Sequence, residues 1–309
     1  MNLKKPKFWD YKKPNLYSYI LWPISILIKI LIRLKPKRKK TYDKIKTICI
    51  GNIYVGGTGK TSLAIKVNEI LKKKKIKSCF IKKYYKDQID EQNILKNNGK
   101  LFCEKNRNAA LNQAIEENYE VAIFDDGLQD YSIDYDINLV CFNSKNWIGN
   151  GMTIPSGPLR QDWKVLKNYN HIFLNGEKKD YYELESKALE INSNIIIHKG
   201  KYVPTNLNEL NINKNYLAFS GIGNHKTFID MLKKYHVKIV KDLEFADHYY
   251  YQNKDIENII SLSKTLGCKI ITTEKDYLRL NKNKAQNISF VKSELVLEDE
   301  EKLIKVILN

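Results

Sequence analysis

Arginine is nearly missing from this chain. Of 53 Lys and Arg residues only five are Arg (Arg33, Arg38, Arg107, Arg160 and Arg279), which leaves 48 Lys. Lys offers a point charge and Arg a planar fork, so a guanidinium kept where Lys is the default cation marks a candidate for bidentate phosphate contact. Cysteine is also scarce. Cys49, Cys79, Cys103, Cys141 and Cys268 show no C-x-x-C spacing, which argues against a zinc site or a disulfide framework and for a reducing cytoplasmic compartment. Cys49, Cys141 and Cys268 fall in apolar runs and read as small core residues. Acidic residues are too few to balance the cations, and the net charge is +18. A Lys, Asn and Ile surplus is what an A/T-rich genome produces, so the charge reads either as drift or as attraction to an anionic surface. No nucleic-acid-binding motif accompanies it, and nucleic acid is not expected as a partner. A repeat of fixed period is absent, and no Asn-Lys-x-Asp stretch is present to read guanine.

At 309 residues the chain can bury a large core and divide into two lobes. The first long apolar stretch, Leu16 to Leu34, approaches the length of about 20 residues that a spanning helix needs. Pro23, Lys29 and Arg33 interrupt it, and both flanks are basic, so there is no positive-inside asymmetry. Ser18, Ser25, Lys29 and Arg33 recur on one narrow helical face. A helix lying in the membrane interface fits this pattern better than a spanning one, with a buried core helix as the alternative. No small-residue cleavage site follows, which argues against a signal peptide.

From Thr47 the pattern alternates between strand and helix. Ile48–Ile50 predicts a strand and Thr61–Lys74 a helix, with Val55-Gly56-Gly57-Thr58-Gly59-Lys60-Thr61-Ser62 between and across them. Strand, glycine loop and helix in that order form the context of a phosphate-binding P-loop. Glycine N–H groups can cradle phosphate oxygens, Lys60 can reach the terminal phosphates, and the Thr61 hydroxyl can ligate Mg²⁺. The strict motif has another glycine where this chain has Tyr54. Further strands are expected at Lys77–Ile81 and Ile137–Phe142, a rim loop at Lys82–Lys100, and a helix at Asn108–Glu117. Val121-Ala-Ile-Phe-Asp125-Asp126 has the form of a Walker B strand whose terminal carboxylates hold Mg²⁺. Pro155-Ser-Gly-Pro-Leu-Arg160 predicts a shaped loop. A second α/β unit begins near Asn215, with strands at Tyr216–Ser220, Val237–Val240, Cys268–Thr272 and Ile288–Val291, and helices to Tyr235, at Asp255–Leu266 and at Glu298–Leu308. Gly221-Ile-Gly223 lacks the third glycine of a dinucleotide fingerprint. The expected fold is therefore α/β: a P-loop NTPase-like parallel sheet, a second smaller α/β lobe and an N-terminal membrane-interface helix. The expected boundaries are 1–40, 41–205 and 206–309.

Taken together, these motifs resemble the tetraacyldisaccharide 4'-kinases, P-loop lipid kinases of lipid A synthesis in Gram-negative bacteria. The likeness runs from the basic apolar N-terminus through Gly51-Asn52, Val55 to Thr61, Asp125-Asp-Gly-Leu-Gln129, Pro155 to Arg160, Gly221-Ile-Gly-Asn224, Phe245-Ala-Asp-His248 and Thr272-Thr-Glu-Lys-Asp276. That family also lacks the first P-loop glycine. The resemblance implies transfer of the ATP γ-phosphate to the 4'-hydroxyl of a tetraacylated glucosamine disaccharide 1-phosphate. It also implies a location on the cytoplasmic face of the inner membrane, at a surface of anionic lipid. Asp90, in Ile89-Asp90-Glu91, matches the family's general base, and His248 the histidine that orients and polarises it. Lys60 and Thr61 match the phosphate loop, Asp125 and Asp126 the metal-binding acids, and Gln129 lies beside them at the nucleotide. Arg107 and Arg160 match arginines on substrate or nucleotide phosphates. The chain departs from the family at Lys83-Tyr84-Tyr85 (usually Arg-Gly-Tyr), at Gln161 (usually an acid), at Asp130 (usually His or Asn) and at Tyr249 (usually His). A different class of function, a membrane-positioning P-loop ATPase switch without lipid chemistry, is the alternative. Its deviant loop would carry Lys in place of Val55.

Overall fold

A computed structural model describes residues 5–34, 39–145, 147–177, 181–211, 213–281 and 285–308. The chain forms two compact units, a large one of Lys5–Lys201 with Leu297–Asn309 and a smaller one over Tyr202–Val296. The units therefore divide inside a strand rather than in a linker at 205. The last helix, expected in the second lobe, groups with the large unit.

In the large unit, helix α1 (Leu16–Leu34) is followed by β1 (Lys46–Gly51), α2 (Lys60–Lys73), β2 (Ser78–Lys83), α3 (Ile89–Asn98) and β3 (Leu101–Glu104). Then come α4 (Arg107–Glu116), β4 (Val121–Asp125), β5 (Ile137–Asn143), β6 (His171–Asn175), α5 (Tyr182–Ile191) and β7 (Ile196–Pro204). Lys82–Lys100 is thus not a rim loop. After the end of β2 it contains a 3-10 turn, Lys86–Gln88, and the whole of α3. Its polar sequence hid a helix whose apolar face is narrow, with only Gln92 and Leu95 buried. The smaller unit contains β8 (Asn215–Ser220), α6 (His225–Lys234), β9 (Lys238–Glu244), α7 (Asn253–Thr265), β10 (Lys269–Thr273), α8 (Glu274–Tyr277) and β11 (Ile288–Val291). After it, β12 (Ser293–Leu297) and α9 (Glu300–Leu308) end the chain.

One sheet has the order β12-β7-β6-β5-β1-β4-β2-β3, and the other β11-β10-β8-β9. The ladders joining β3, β2, β4, β1, β5, β6 and β7 are parallel. Strands covered on both faces need nearly continuous apolar side chains, and Ile48, Cys49, Ile50, Ile123 and Phe124 are fully buried accordingly. Register then positions the chemistry. Ile50 pairs with Asp125, and Ile81 with Phe124. The loop after β1, the acids Asp125 and Asp126 at the end of β4 and the end of β2 therefore emerge at one carboxyl edge, where parallel sheets bind ligands.

Helix α1 inverts the usual pattern. Its buried residues are Ser18 and Ser25, while Leu16, Tyr17, Ile20, Trp22, Leu27, Leu31 and Leu34 are each more than half exposed. The Ser25 hydroxyl donates to the Thr153 carbonyl at 2.9 Å and lies 2.8 Å from the Ser156 hydroxyl. Asn150 Nδ2 donates to Ser18 Oγ at 2.9 Å, and Lys29 pairs with Asp162 at 2.8 Å. Ser18, Ser25 and Lys29 of the polar stripe read from the sequence form the docked face, Arg33 is exposed, and the apolar face is left outward. By length and composition this helix could also cross a membrane. It is not a buried core helix.

Candidate active site

The phosphate loop is shaped by glycine and held by asparagine. Gly56 and Gly59 adopt φ of 137° and 90°, a region that favours residues without Cβ. Asn52, fully buried, donates from Nδ2 to the Gly56 carbonyl at 3.3 Å and to Thr58 Oγ1 at 3.0 Å. Helix α2 starts at Lys60, and its N-cap Gly59 supplies no side-chain cap. The first-turn N–H groups and the positive end of the helix dipole thus suit a phosphate. Tyr54 has a structural role. Its buried ring carries a hydroxyl that donates to Asp10 at 2.8 Å and accepts from Lys5 at 2.8 Å. The first P-loop residues are thereby tied to the segment preceding α1.

Behind the loop lie the two acids. Thr61 Oγ1 donates to Asp125 Oδ2 at 3.2 Å, and Lys82 Nζ donates to the same oxygen at 2.7 Å. Asp125 is fully buried, and its Oδ1 has no hydrogen-bond partner. A buried carboxylate oxygen beside a hydroxyl is the oxygen chemistry that Mg²⁺ prefers. Among the described residues no three His, Cys, Asp or Glu gather as a metal cage.

Asp126 follows with a left-handed φ of 62°, which turns it out of the strand. Arg160 Nη1 donates to its two oxygens at 2.9 and 3.0 Å, and Lys60 Nζ stands 3.9 Å away. Burial alone would raise its pKa, but Lys60 and Arg160 outweigh burial and hold it below the usual carboxylate range. Arg107 is buried, donating from Nη2 to the Asp126 carbonyl at 2.6 Å and from Nη1 to Asp130 at 3.1 Å. Gln129 donates to the Asn52 carbonyl at 2.8 Å and to Gln161 Oε1 at 3.2 Å, while its own oxygen accepts from Arg160 at 3.3 Å. Two of the family departures, Asp130 and Gln161, are therefore bonded into this network. A cavity of about 410 Å³ opens here, lined by Lys82, Lys83, Tyr85, Gln88, Arg107, Asp125, Asp126, Gln129, Asp130 and Arg160.

The structure brings Lys60, Thr61, Asp125, Asp126, Gln129, Arg107 and Arg160 together. Asp90 lies in the first turn of α3, two residues after Gln88 of the cavity wall. Lys82 was missed by sequence reasoning. Its signal was a cation, the first of the pair Lys82-Lys83, directly at the carboxyl end of the apolar run Cys79-Phe80-Ile81.

His248 belongs to the smaller unit. Its left-handed backbone, φ 57°, donates its N–H to the Gly221 carbonyl at 3.1 Å. The same carbonyl accepts from Arg279 Nη1 at 2.9 Å, and Arg279 Nη2 is 3.4 Å from His248 Nδ1. Fully buried Asp276 anchors this cluster, accepting from the Gly221 N–H and the Tyr251 hydroxyl, each at 3.0 Å, and from Arg279 at 3.2 Å. Asp276, Gly221 and Phe245-Ala-Asp-His248, apart in sequence, form one corner of the small sheet's carboxyl edge.

The family model described as LpxK, tetraacyldisaccharide-1-P 4'-kinase, matches residues 17–101 and 89–309. Tetraacyldisaccharide 4'-kinase of Pelagibacter ubique is 55% identical over 303 residues, covering 98% of this chain and 96% of that protein. The Rickettsia akari enzyme of the same name is 34% identical, covering 91% and 90%. The crystal structure of "apo" form LpxK from Aquifex aeolicus, in complex with ATP, superposes with a TM-score of 0.65 at 23% identity, over 94% of this chain and 96% of that one. That likeness supports the P-loop NTPase-like fold. With the family model and the relatives spanning nearly its whole length, this chain belongs to the tetraacyldisaccharide 4'-kinase family.

Proposed function

We infer that this protein is the ATP-dependent kinase that transfers the γ-phosphate to the 4'-hydroxyl of tetraacyldisaccharide 1-phosphate in lipid A biosynthesis. The observation that carries this is the full-length family match together with the convergence of Lys60, Thr61, Asp125 and Asp126 at one sheet edge. Lys60 and the loop N–H groups bind the ATP phosphates and offset charge that builds up on the transferred group. Thr61 and Asp125 are the residues that would hold Mg²⁺, which when bound neutralises phosphate charge and aligns the terminal phosphoryl group. Arg160 stands over Asp126 at the cavity, where a phosphate oxygen can share its guanidinium. Asp90 accepts the proton of the attacking hydroxyl as the new P–O bond forms and the bond to the β-phosphate oxygen breaks, leaving ADP. His248 is assigned as the group supporting Asp90 on its motif position. The outward apolar face of α1 and the basic residues around it support work at an anionic membrane surface; the proposed location is the cytoplasmic face of the inner membrane, where the substrate's acyl chains would reside.

Asp90→Ala tests the assignment. It should lower kcat for lipid phosphorylation by about 100-fold or more and leave ATP affinity unchanged. Equal losses in both would make Asp90 a structural residue. ATP binding and hydrolysis with no phosphate reaching the lipid would instead favour a membrane-positioning ATPase switch.

A further inference from the structure

Lys82 is not used by the chemistry above, and it is the most deeply buried cation at the site. Its side chain is 3% exposed, and its ammonium lies 2.7 Å from Asp125 Oδ2 and 2.8 Å from Glu91 Oε2. Lys82 is the penultimate residue of β2, and the parallel register sets it beside Asp125 of β4. Glu91 comes from a different element. It lies in the first turn of α3, directly after Asp90.

A buried ammonium costs several kcal/mol in desolvation, and pairing in such sites often does no more than cancel that cost. Here carboxylates from two different elements hold the ammonium on two sides. What such a group contributes is geometry rather than net stability. The N-cap of α3, Gln88, forms no side-chain capping bond. The turn bearing Asp90 is linked to the sheet through Lys82–Glu91, while Gln92 Nε2, one residue later, donates to the Tyr85 carbonyl at 2.8 Å in the segment that joins β2 to α3. The same ammonium, with the Thr61 hydroxyl, occupies Asp125 Oδ2, so the orphaned Oδ1 is the carboxylate oxygen left for another ligand.

We propose that Lys82 is a positioning residue: its ammonium bridges Asp125 on β4 and Glu91 on α3, fixing the Asp90-bearing turn against the phosphate-loop edge of the sheet. For catalysis this rests on the assignment of Asp90 as base; the mechanical part does not. A displacement of about 1 Å at a reacting group can cost about 100-fold in rate, so loss of the bridge should appear in kcat before it appears in nucleotide binding.

The test compares Lys82→Met, Lys82→Arg and Glu91→Gln with the parent full-length protein. It measures ATP affinity, kcat and KM for ATP and lipid, and amide hydrogen exchange across residues 86–92. Lys82→Met is expected to bind ATP as the parent does, to lose about 100-fold in kcat, and to exchange faster at 86–92 than at α2 or β4. Lys82→Arg should recover most of the rate, and Glu91→Gln should reproduce the local exchange. Glu91→Gln keeps the test decisive should Lys82→Met fail to fold. Unchanged exchange at 86–92 in both Lys82→Met and Glu91→Gln overturns the proposal. So does a Lys82→Met loss that falls equally on kcat and ATP affinity. Exchange that rises as expected in Lys82→Met and Glu91→Gln, with a parent that phosphorylates no lipid, would refute the kinase assignment and leave the bridge standing.

Discussion

Replacing Ile20, Leu27 and Leu31 together by Ser should release the protein from lipid vesicles without unfolding it. These side chains lie on the outward face of α1 and are 63, 61 and 64% exposed. Full burial of one such side chain is worth about 1.5–3 kcal/mol, so with roughly six-tenths available each supplies about 1–2 kcal/mol. The triple variant then loses roughly 3–6 kcal/mol of membrane transfer, or about 10²- to 10⁴-fold in partition coefficient. Co-sedimentation with vesicles of mixed neutral and anionic lipid measures this directly. Raising the salt should weaken binding of parent and variant alike, because the Lys-rich contribution is screened while the apolar one is not. Ser25→Ala is the control. It removes the bonds to Thr153 and Ser156 on the docked face, so it should lower thermal stability while leaving the apolar surface intact. A triple variant that partitions like the parent would refute the interfacial assignment.

Two further outcomes follow from packing and titration. His198 is buried against His171 with ring centroids 5.7 Å apart, and burial, then His171 and Lys302, lower its pKa to about 4. Its folded pKa is below the unfolded value of about 6.5, so its contribution is fully present above pH 6.5 and is lost as pH falls toward 4, up to about 3 kcal/mol. Urea unfolding across that window should show the loss, and His198→Phe should reduce it; an equally steep decline in the variant would exclude His198 as the cause. At Gly51 an added Cβ would lie 2.6 Å from Leu128 Cγ, so Gly51→Ala should cost about 1–3 kcal/mol. Adding Leu128→Ala should recover part of that loss in a double-mutant cycle, and strict additivity would contradict the contact.

The legible part of this chain was the part with strong local codes. Glycines around Lys60, the apolar run ending in Asp125 and the β-α alternation each report their own structure, so the large sheet's carboxyl edge could be assembled from sequence. Helix α3 was read as a loop because its buried face holds one apolar residue, Leu95, and a glutamine. Strands β3, β6, β7 and β12 and helix α5 were not anticipated. The first two are short, β7 is only partly apolar and crosses from one unit to the other, and β12 lies at the sheet's edge. The Lys82 bridge and the Tyr54 tether were invisible because each joins residues far apart in sequence. Arg160 and Arg107 were picked out as rare guanidiniums, and both reach Asp126, one by its carboxylate and the other by its carbonyl.

The most direct test of the central claim is a phosphate-transfer assay with purified full-length protein, γ-labelled ATP, Mg²⁺ and detergent-dispersed tetraacyldisaccharide 1-phosphate. Label should appear in a bis-phosphorylated lipid, at the 4' position, and should disappear with Lys60→Ala. Nucleotide turnover with no label in the lipid would contradict the account.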